Sequence, residues 1–164
     1  MQRGGLRGLA VLAAASVVLA DQLAKMAAAG VRVSPGSYVP NPGLVLGVFA
    51  GPPLLLIVGS VAVLGVFLGV IGRWAVQVGI SPIIPGVIAG GALANALDRA
   101  QYGVVRDFLS TPWIVIDVAD IAVVAGIAAL GIALVLRMHH LRATSHTITL
   151  DVRTLRAMVV PVSA

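Results

Sequence analysis

The 164-residue chain has no cysteine, no glutamate, few aromatic residues and few charges of either sign. Each absence closes a class of function. Without cysteine there are no disulfides, thiolate metal sites or thiol nucleophiles. Without glutamate there is neither an HExxH zinc protease nor a glutamate-rich metal cluster. Aromatic residues make up 4% of the chain, too few for the stacking platform of a nucleic-acid binder, and the basic residues are scattered. We therefore expect no nucleic-acid partner and read the net charge of +5 as a signal of membrane topology. The three histidines, His139, His140 and His146, all follow the last apolar block, where they cannot partner a serine at the opposite membrane face.

What remains is apolar. With 59% hydrophobic residues and a mean hydropathy of +1.06, the chain is dissolved in lipid. Four blocks approach the ~20 residues that a helix needs to cross the hydrocarbon layer: about 8–29, 54–72, 78–97 and 114–136. The first, with Arg3 and Arg7 ahead and Ala27-Ala28-Ala29 behind, resembles a cleavable signal peptide. However, Asp21 and Lys25 lie inside it at i,i+4 spacing, on one helical face, so it reads as a retained span. We expect an all-α membrane protein: a domain over 1–137 with four transmembrane helices, then a basic cytoplasmic tail over 138–164, partly disordered. In that tail Ile148, Leu150 and Val152 alternate, as a short strand or nothing ordered would. Arg3, Arg7, Arg73, Arg137 and Arg142 put both termini inside; Arg32, Arg99 and Arg106 run against that bias. Residues 31–50 and 102–116 lie outside the blocks. They carry turn signals at Ser34-Pro35-Gly36, Asn41-Pro42-Gly43 and Thr111-Pro112 between β-prone pieces, which suggests a small outer β-cradle.

Five of the six aspartates, Asp21, Asp98, Asp107, Asp117 and Asp120, sit in or beside these apolar blocks, where an ionisable side chain is costly and normally functional. A chain leaving a strand at Asp107 and re-entering the membrane after Thr111-Pro112 could bring Asp107 to Asp120. Two carboxyl groups sharing a site hold one proton between them, which is the chemistry of an aspartic protease. Helix capping accounts for Asp117 about as well as chemistry does. Asp120, a turn deeper, needs a partner. In an extended segment neighbouring side chains point to opposite faces, so Arg106 should not neutralise Asp107. These residues make a dyad plausible without settling it.

Five strings, in order, resemble the lipoprotein signal peptidase (signal peptidase II) family. Asp21-Gln22-Leu23-Ala24-Lys25 resembles its DQxxK motif, and Asn41-Pro42-Gly43 with Gly47-Val48-Phe49 its outer-loop motif. Gly90 to Arg99 (GGALANALDR) is similar to its GGxxGNxxDR motif. Gly103 to Phe108 (GVVRDF) and Asp117-Val118-Ala119-Asp120 are similar to the segments holding its two catalytic aspartates. The likeness covers nearly all of the chain up to Arg137.

The resemblance implies a membrane aspartic endopeptidase that removes the signal peptide of a diacylglyceryl-modified prolipoprotein, cutting before the lipidated cysteine. Asp107 and Asp120 would be catalytic. Asp21, Asn41, Gly43, Asn95, Asp98, Arg99 and Asp117 would bind substrate or support the site; Asn95 lies one helical turn from Asp98 and Arg99. No metal or cofactor is implied, since a dyad works with water. The expected partners are lipidated prolipoproteins and membrane lipid, the chain acting as a monomer in a bacterial plasma membrane with its site near the outer face. Globomycin-like peptide antibiotics would be inhibitors. Four departures from the family pattern stand out: Asp117 for asparagine, Ala94 for glycine, Leu44-Val45-Leu46 in the outer loop, and Arg106 before Asp107. Two rivals are a weakly active paralogue that binds lipidated peptides and a small proton-coupled transporter. The transporter lacks ionisable groups through the middles of spans two to four.

Overall fold

The structure, a computed structural model, describes residues 3–31, 38–43, 51–110 and 114–158. Within the expected outer segments, 32–37, 44–50 and 111–113 lie outside the described residues. They include Ser34-Pro35-Gly36, Leu44-Val45-Leu46, Gly47-Val48-Phe49 and the Thr111-Pro112 turn. The chain divides into two compact units, 1–130 and 131–164. The site described below lies entirely in the first.

Helix α1 (Arg3–Val31) is followed by the short strand β1 (Val39–Asn41). Pro52 and Pro53 open α2 (Pro53–Val66), where the missing proline N–H costs nothing. The helix then passes through a π-helical turn (Phe67–Gly72) into α3 (Arg73–Gln77), so the second span runs past Arg73 rather than closing there. Gly79, at φ 87°, breaks the chain before α4 (Ile83–Tyr102), which starts at Pro82 and runs five residues past the end expected from apolarity. Gly103 ends α4 in the left-handed region at φ 78°, its N–H donating to the Arg99 carbonyl at 2.9 Å. That cap turns the chain into β2 (Val105–Asp107).

β2 pairs antiparallel with β1 in the register Val39↔Asp107, Pro40↔Arg106 and Asn41↔Val105. β3 (Leu109–Ser110) pairs with β4 (Val115–Ile116). These ribbons lie in the two segments read as extended. α5 begins at Val118 because Asp117 caps it, and continues to Met158. The alternating Ile148, Leu150 and Val152 form no strand, since no glycine or proline interrupts the helix between Gly131 and Pro161.

Among the described residues, three helical stretches are long and apolar enough to cross a membrane: Gly4–Gly30, Pro53–Gln77 and Val118–His140. α4 is not among them, because Asn95, Asp98 and Arg99 crowd its last turns. It is instead the most enclosed helix of the first unit, with nine buried residues, and α1 and α2 both pack against it. Glycines make this possible. A Cβ added to Gly86 would lie 2.5 Å from the Ala10 carbonyl oxygen of α1, and one at Gly90 2.6 Å from that of Ala14. On the other side, a Cβ at Gly91 would lie 2.5 Å from the Ala119 oxygen of α5. Lipid supplies no hydrophobic drive between helices, so close approach through small residues is what holds them together.

Gly90→Ala should therefore force α1 away and lower the thermal midpoint in detergent, at a cost of about 1–3 kcal/mol. Gly65→Ala, where an added Cβ meets nothing within 4 Å, should leave the midpoint unchanged or slightly raised.

Candidate active site

Lys25 is the chain's only lysine, and its side chain is 1% exposed. Its ammonium lies 2.8 Å from Asp21 Oδ2, 2.9 Å from Asp98 Oδ2 and 2.6 Å from Asp117 Oδ2. One cation thus ties α1 to α4 and to the start of α5. The three carboxylates are themselves buried, and each takes a second partner. Asp21 Oδ1 accepts from the Ala119 backbone N–H at 3.0 Å, and Asp117 Oδ1 from that of Asp120 at 2.8 Å. Two of the N–H groups that open α5 are therefore capped by two different aspartates, one of them from another helix. The capping role of Asp117 weighed from sequence is real, and Lys25 occupies its other oxygen.

Asp98 accepts from Arg106 three times: from the backbone N–H at 3.0 Å, Nε at 3.3 Å and Nη2 at 2.8 Å. Gln22 links these groups, donating to Asp98 at 3.1 Å and to Asp21 at 3.2 Å while accepting from Arg106 Nη2 at 2.9 Å. The Arg106 guanidinium also stacks 4.1 Å from the Tyr102 ring centre. Burial works against the Arg106 cation, but the hydrogen bonds and charge of Asp98 outweigh it and hold its pKa above the ordinary value. As the strand geometry predicts, Arg106 turns away from Asp107.

A second group of residues stands beside this network. The chain has two asparagines, and each donates to one further aspartate: Asn41 Nδ2 to Asp107 Oδ2 at 2.8 Å, and Asn95 Nδ2 to Asp120 Oδ1 at 2.9 Å. Asn41 is held by an Asx turn, its Oδ1 accepting from the Gly43 N–H at 2.8 Å, as Asn-Pro-Gly suggests. Buried Arg99 joins the two halves, donating to the Gly43 carbonyl and, at 3.3 Å, to the Asn95 carbonyl. Carboxylate oxygens of Asp107, Asp117 and Asp120 lie within 4.8 Å of one another. Asp107 Oδ1, buried, accepts no hydrogen bond among the described residues, so it is the oxygen open to chemistry. Burial pushes the Asp107 carboxyl up to about 7; the Asn41 donor opposes this, while the charges of Asp117 and Asp120 add to it.

Three carboxylates at this spacing could ligate a cation. However, Asp117 has both oxygens committed and an ammonium 2.6 Å away, so the free pair is Asp107 with Asp120. The structure thus brings Asn41, Gly43, Asn95, Arg99 and Asp117 around that pair. Asp21 and Asp98 belong to the Lys25 network, and Asp98 diverges from its helical neighbours Asn95 and Arg99. Sequence reasoning missed Lys25, Gln22 and Arg106 as members. The i,i+4 pairing of Asp21 and Lys25 was the available signal for the first.

The profile of the family described as Signal peptidase (SPase) II matches residues 13–136. A lipoprotein signal peptidase of Nitrobacter hamburgensis is 31% identical over 73% of this chain and 87% of its own length. Those of Methylorubrum extorquens and Pelotomaculum thermopropionicum are 38% and 34% identical, over 55% and 60% of this chain. For these two the chain spans less than two thirds of the relative's length, 57% and 65%. In fold, the chain is similar to two solved bacterial membrane enzymes, each 22% identical. One has a TM-score of 0.64 over 80% of this chain and 90% of the other; the second has 0.62 over 77% and 92%.

Lys25→Met would leave three buried carboxylates short of a cation and should cost about 3–5 kcal/mol of stability, read as a lower unfolding midpoint in detergent. Lys25→Met combined with Asp117→Asn should recover part of that loss, because asparagine still caps α5 without a charge. Equal midpoints for the single and double variants would show that the ammonium does not serve Asp117.

Proposed function

Because this chain belongs to the signal peptidase II family, we propose that it is a membrane aspartic endopeptidase that removes signal peptides from diacylglyceryl-modified prolipoproteins, cutting before the lipidated cysteine. One observation carries the reading. Asp107 and Asp120 are the two carboxylates left to face each other once Lys25 and Arg106 have taken the others, and each is oriented by one asparagine.

The pair shares one proton. Asp107, pushed up to about 7, holds it near neutral pH, and Asp120 is the base. Asp120 takes a proton from water as the water oxygen attacks the scissile carbonyl carbon. Asp107 gives its proton to the carbonyl oxygen, so the intermediate is a neutral diol rather than an exposed anion. Collapse then breaks the C–N bond. A proton passes from Asp120 to the leaving amine, and one from the diol returns to Asp107. Asn41 and Asn95 fix the carboxylate oxygens that do not react. Arg99 holds both asparagine-bearing segments at one spacing and places a positive charge beside a site that handles carboxylates.

We place the enzyme in a bacterial plasma membrane with α4 as the third of four spans, both termini cytoplasmic and the dyad near the outer face. The arginine distribution supports this orientation. Among the four departures from the family pattern, Asp117 adds a third carboxyl near the dyad. Lys25 and the α5 cap occupy both oxygens of that residue, which favours activity.

The purified protein should cleave a diacylglyceryl-modified prolipoprotein. Asp107→Asn and Asp120→Asn should each lose about 10²–10⁴-fold in turnover while still binding substrate. Equal product from wild type and both variants would sink the assignment. The kcat/KM profile should fall on its alkaline side near pH 7 as Asp107 loses the shared proton. The Asn41 donor favours the ionised carboxylate, so Asn41→Ala should move that limb to higher pH.

A further inference from the structure

At the opposite end of the first unit, a cleft of about 640 Å³ opens between α1 on one side and the π-helical turn with α3 on the other, floored by α4. It exists because the residues facing it are short. Ala10 and Ala14 of α1 and Gly86 and Ala89 of α4 leave the floor shallow, and Gly72 removes a side chain where the π-helical turn meets Pro85. Leu68, Val11 and Val76 add apolar walls, with Leu68 36% and Val11 66% exposed, so the cleft faces lipid.

Two cations border this otherwise apolar space: Arg7 of α1 and Arg73 of α3. Both are exposed, and neither forms an ion pair among the described residues. No acidic residue lines the cleft. The nearest aspartate on the same helix, Asp21, is fourteen residues along α1, about 21 Å at ~1.5 Å per residue. Two unneutralised guanidinium groups above an apolar slot match one chemistry, a negatively charged phosphodiester joined to acyl chains. Basic pockets between membrane helices take such headgroups where they face the anionic leaflet. Arginine suits the task because its planar fork grips phosphate oxygens in pairs.

We propose that this cleft is a binding site for an anionic phospholipid, with its phosphate between Arg7 and Arg73 and an acyl chain along Ala10, Ala14 and Ala89. The site is separate from the aspartates, and the proposal stands whether or not the chain is a peptidase. The lipid fills a gap between α1 and α3 that no side chain fills.

The full-length protein is equilibrated with vesicles of equal parts phosphatidylglycerol and phosphatidylcholine, and the lipid retained after transfer to detergent is counted by native mass spectrometry. Wild type should retain phosphatidylglycerol in preference, by a ratio on the order of tenfold for two arginines at the surface. Arg7→Gln with Arg73→Gln should retain both lipids equally; both residues are exposed, so the fold should survive. Arg137→Gln, a cation outside the cleft, should keep the wild-type ratio. Ala89→Leu should lower retention with both arginines intact. A preference that persists in the double glutamine variant, or falls as much in Arg137→Gln, would overturn the site. So would displacement of the lipid by free glycerol phosphate alone, which would make the ligand a soluble anion.

Discussion

The arrangement depends on one ammonium group. In a protein with a single lysine, Lys25 touches the carboxylates of α1, α4 and the residue that starts α5, at 2.6 to 2.9 Å. Bare carboxylates at such depth would be prohibitive, and a lone lysine equally so. Together with Arg106 and Gln22 they become tolerable, because nearly every charge has an opposite charge or a donor in reach. The network favours one mutual placement of three helix segments. Glycine contacts, which carry no directional preference, supply close packing but not register.

The same network sorts the aspartates. Asp21, Asp98 and Asp117 are consumed in holding the helices, and Asp107 and Asp120 remain. Neither of these has an ion pair at hydrogen-bond distance among the described residues; each has an amide instead. An amide donor orients a carboxylate and favours its anion only modestly, whereas a lysine or arginine at contact would lock it as the anion. Asparagine beside the Asp107–Asp120 pair and cations beside the other three aspartates are thus two uses of the same chemistry.

Much of this was legible from residues alone. Block lengths and turn signals located the first, second and fifth helices and the strands, and the Asp107–Asp120 pair followed from a plausible chain path. The helix termini were less accessible. Apolarity does not register a cap, so the apolar block opens near 114 while α5 starts only after Asp117. Nor does it register a left-handed glycine, so the apolar block closes at 97 while α4 runs on to its cap at Gly103. At one-turn spacing Asn95, Asp98 and Arg99 are expected to share one helical face. The structure splits them because Asp98 is drawn by Lys25 and Arg106, which reach it from elsewhere in the chain. The convergence of Lys25 on three helix segments is a tertiary fact, and its i,i+4 partner Asp21 revealed only one of three bonds. In the tail, a period-two pattern was overruled by a helix with nothing to stop it.

The double cap on α5 has a temporal consequence. Asp117 can cap its own helix as soon as that helix forms, but the Ala119 N–H waits for Asp21, a residue made about a hundred positions earlier on α1. The turn that carries Asp120 is therefore completed only when the first and last helices of the unit have met. Until that contact forms, one of the two capped N–H groups ahead of Asp120 lacks its partner, so the spacing of the Asp107–Asp120 pair is set by the meeting of helices far apart in sequence.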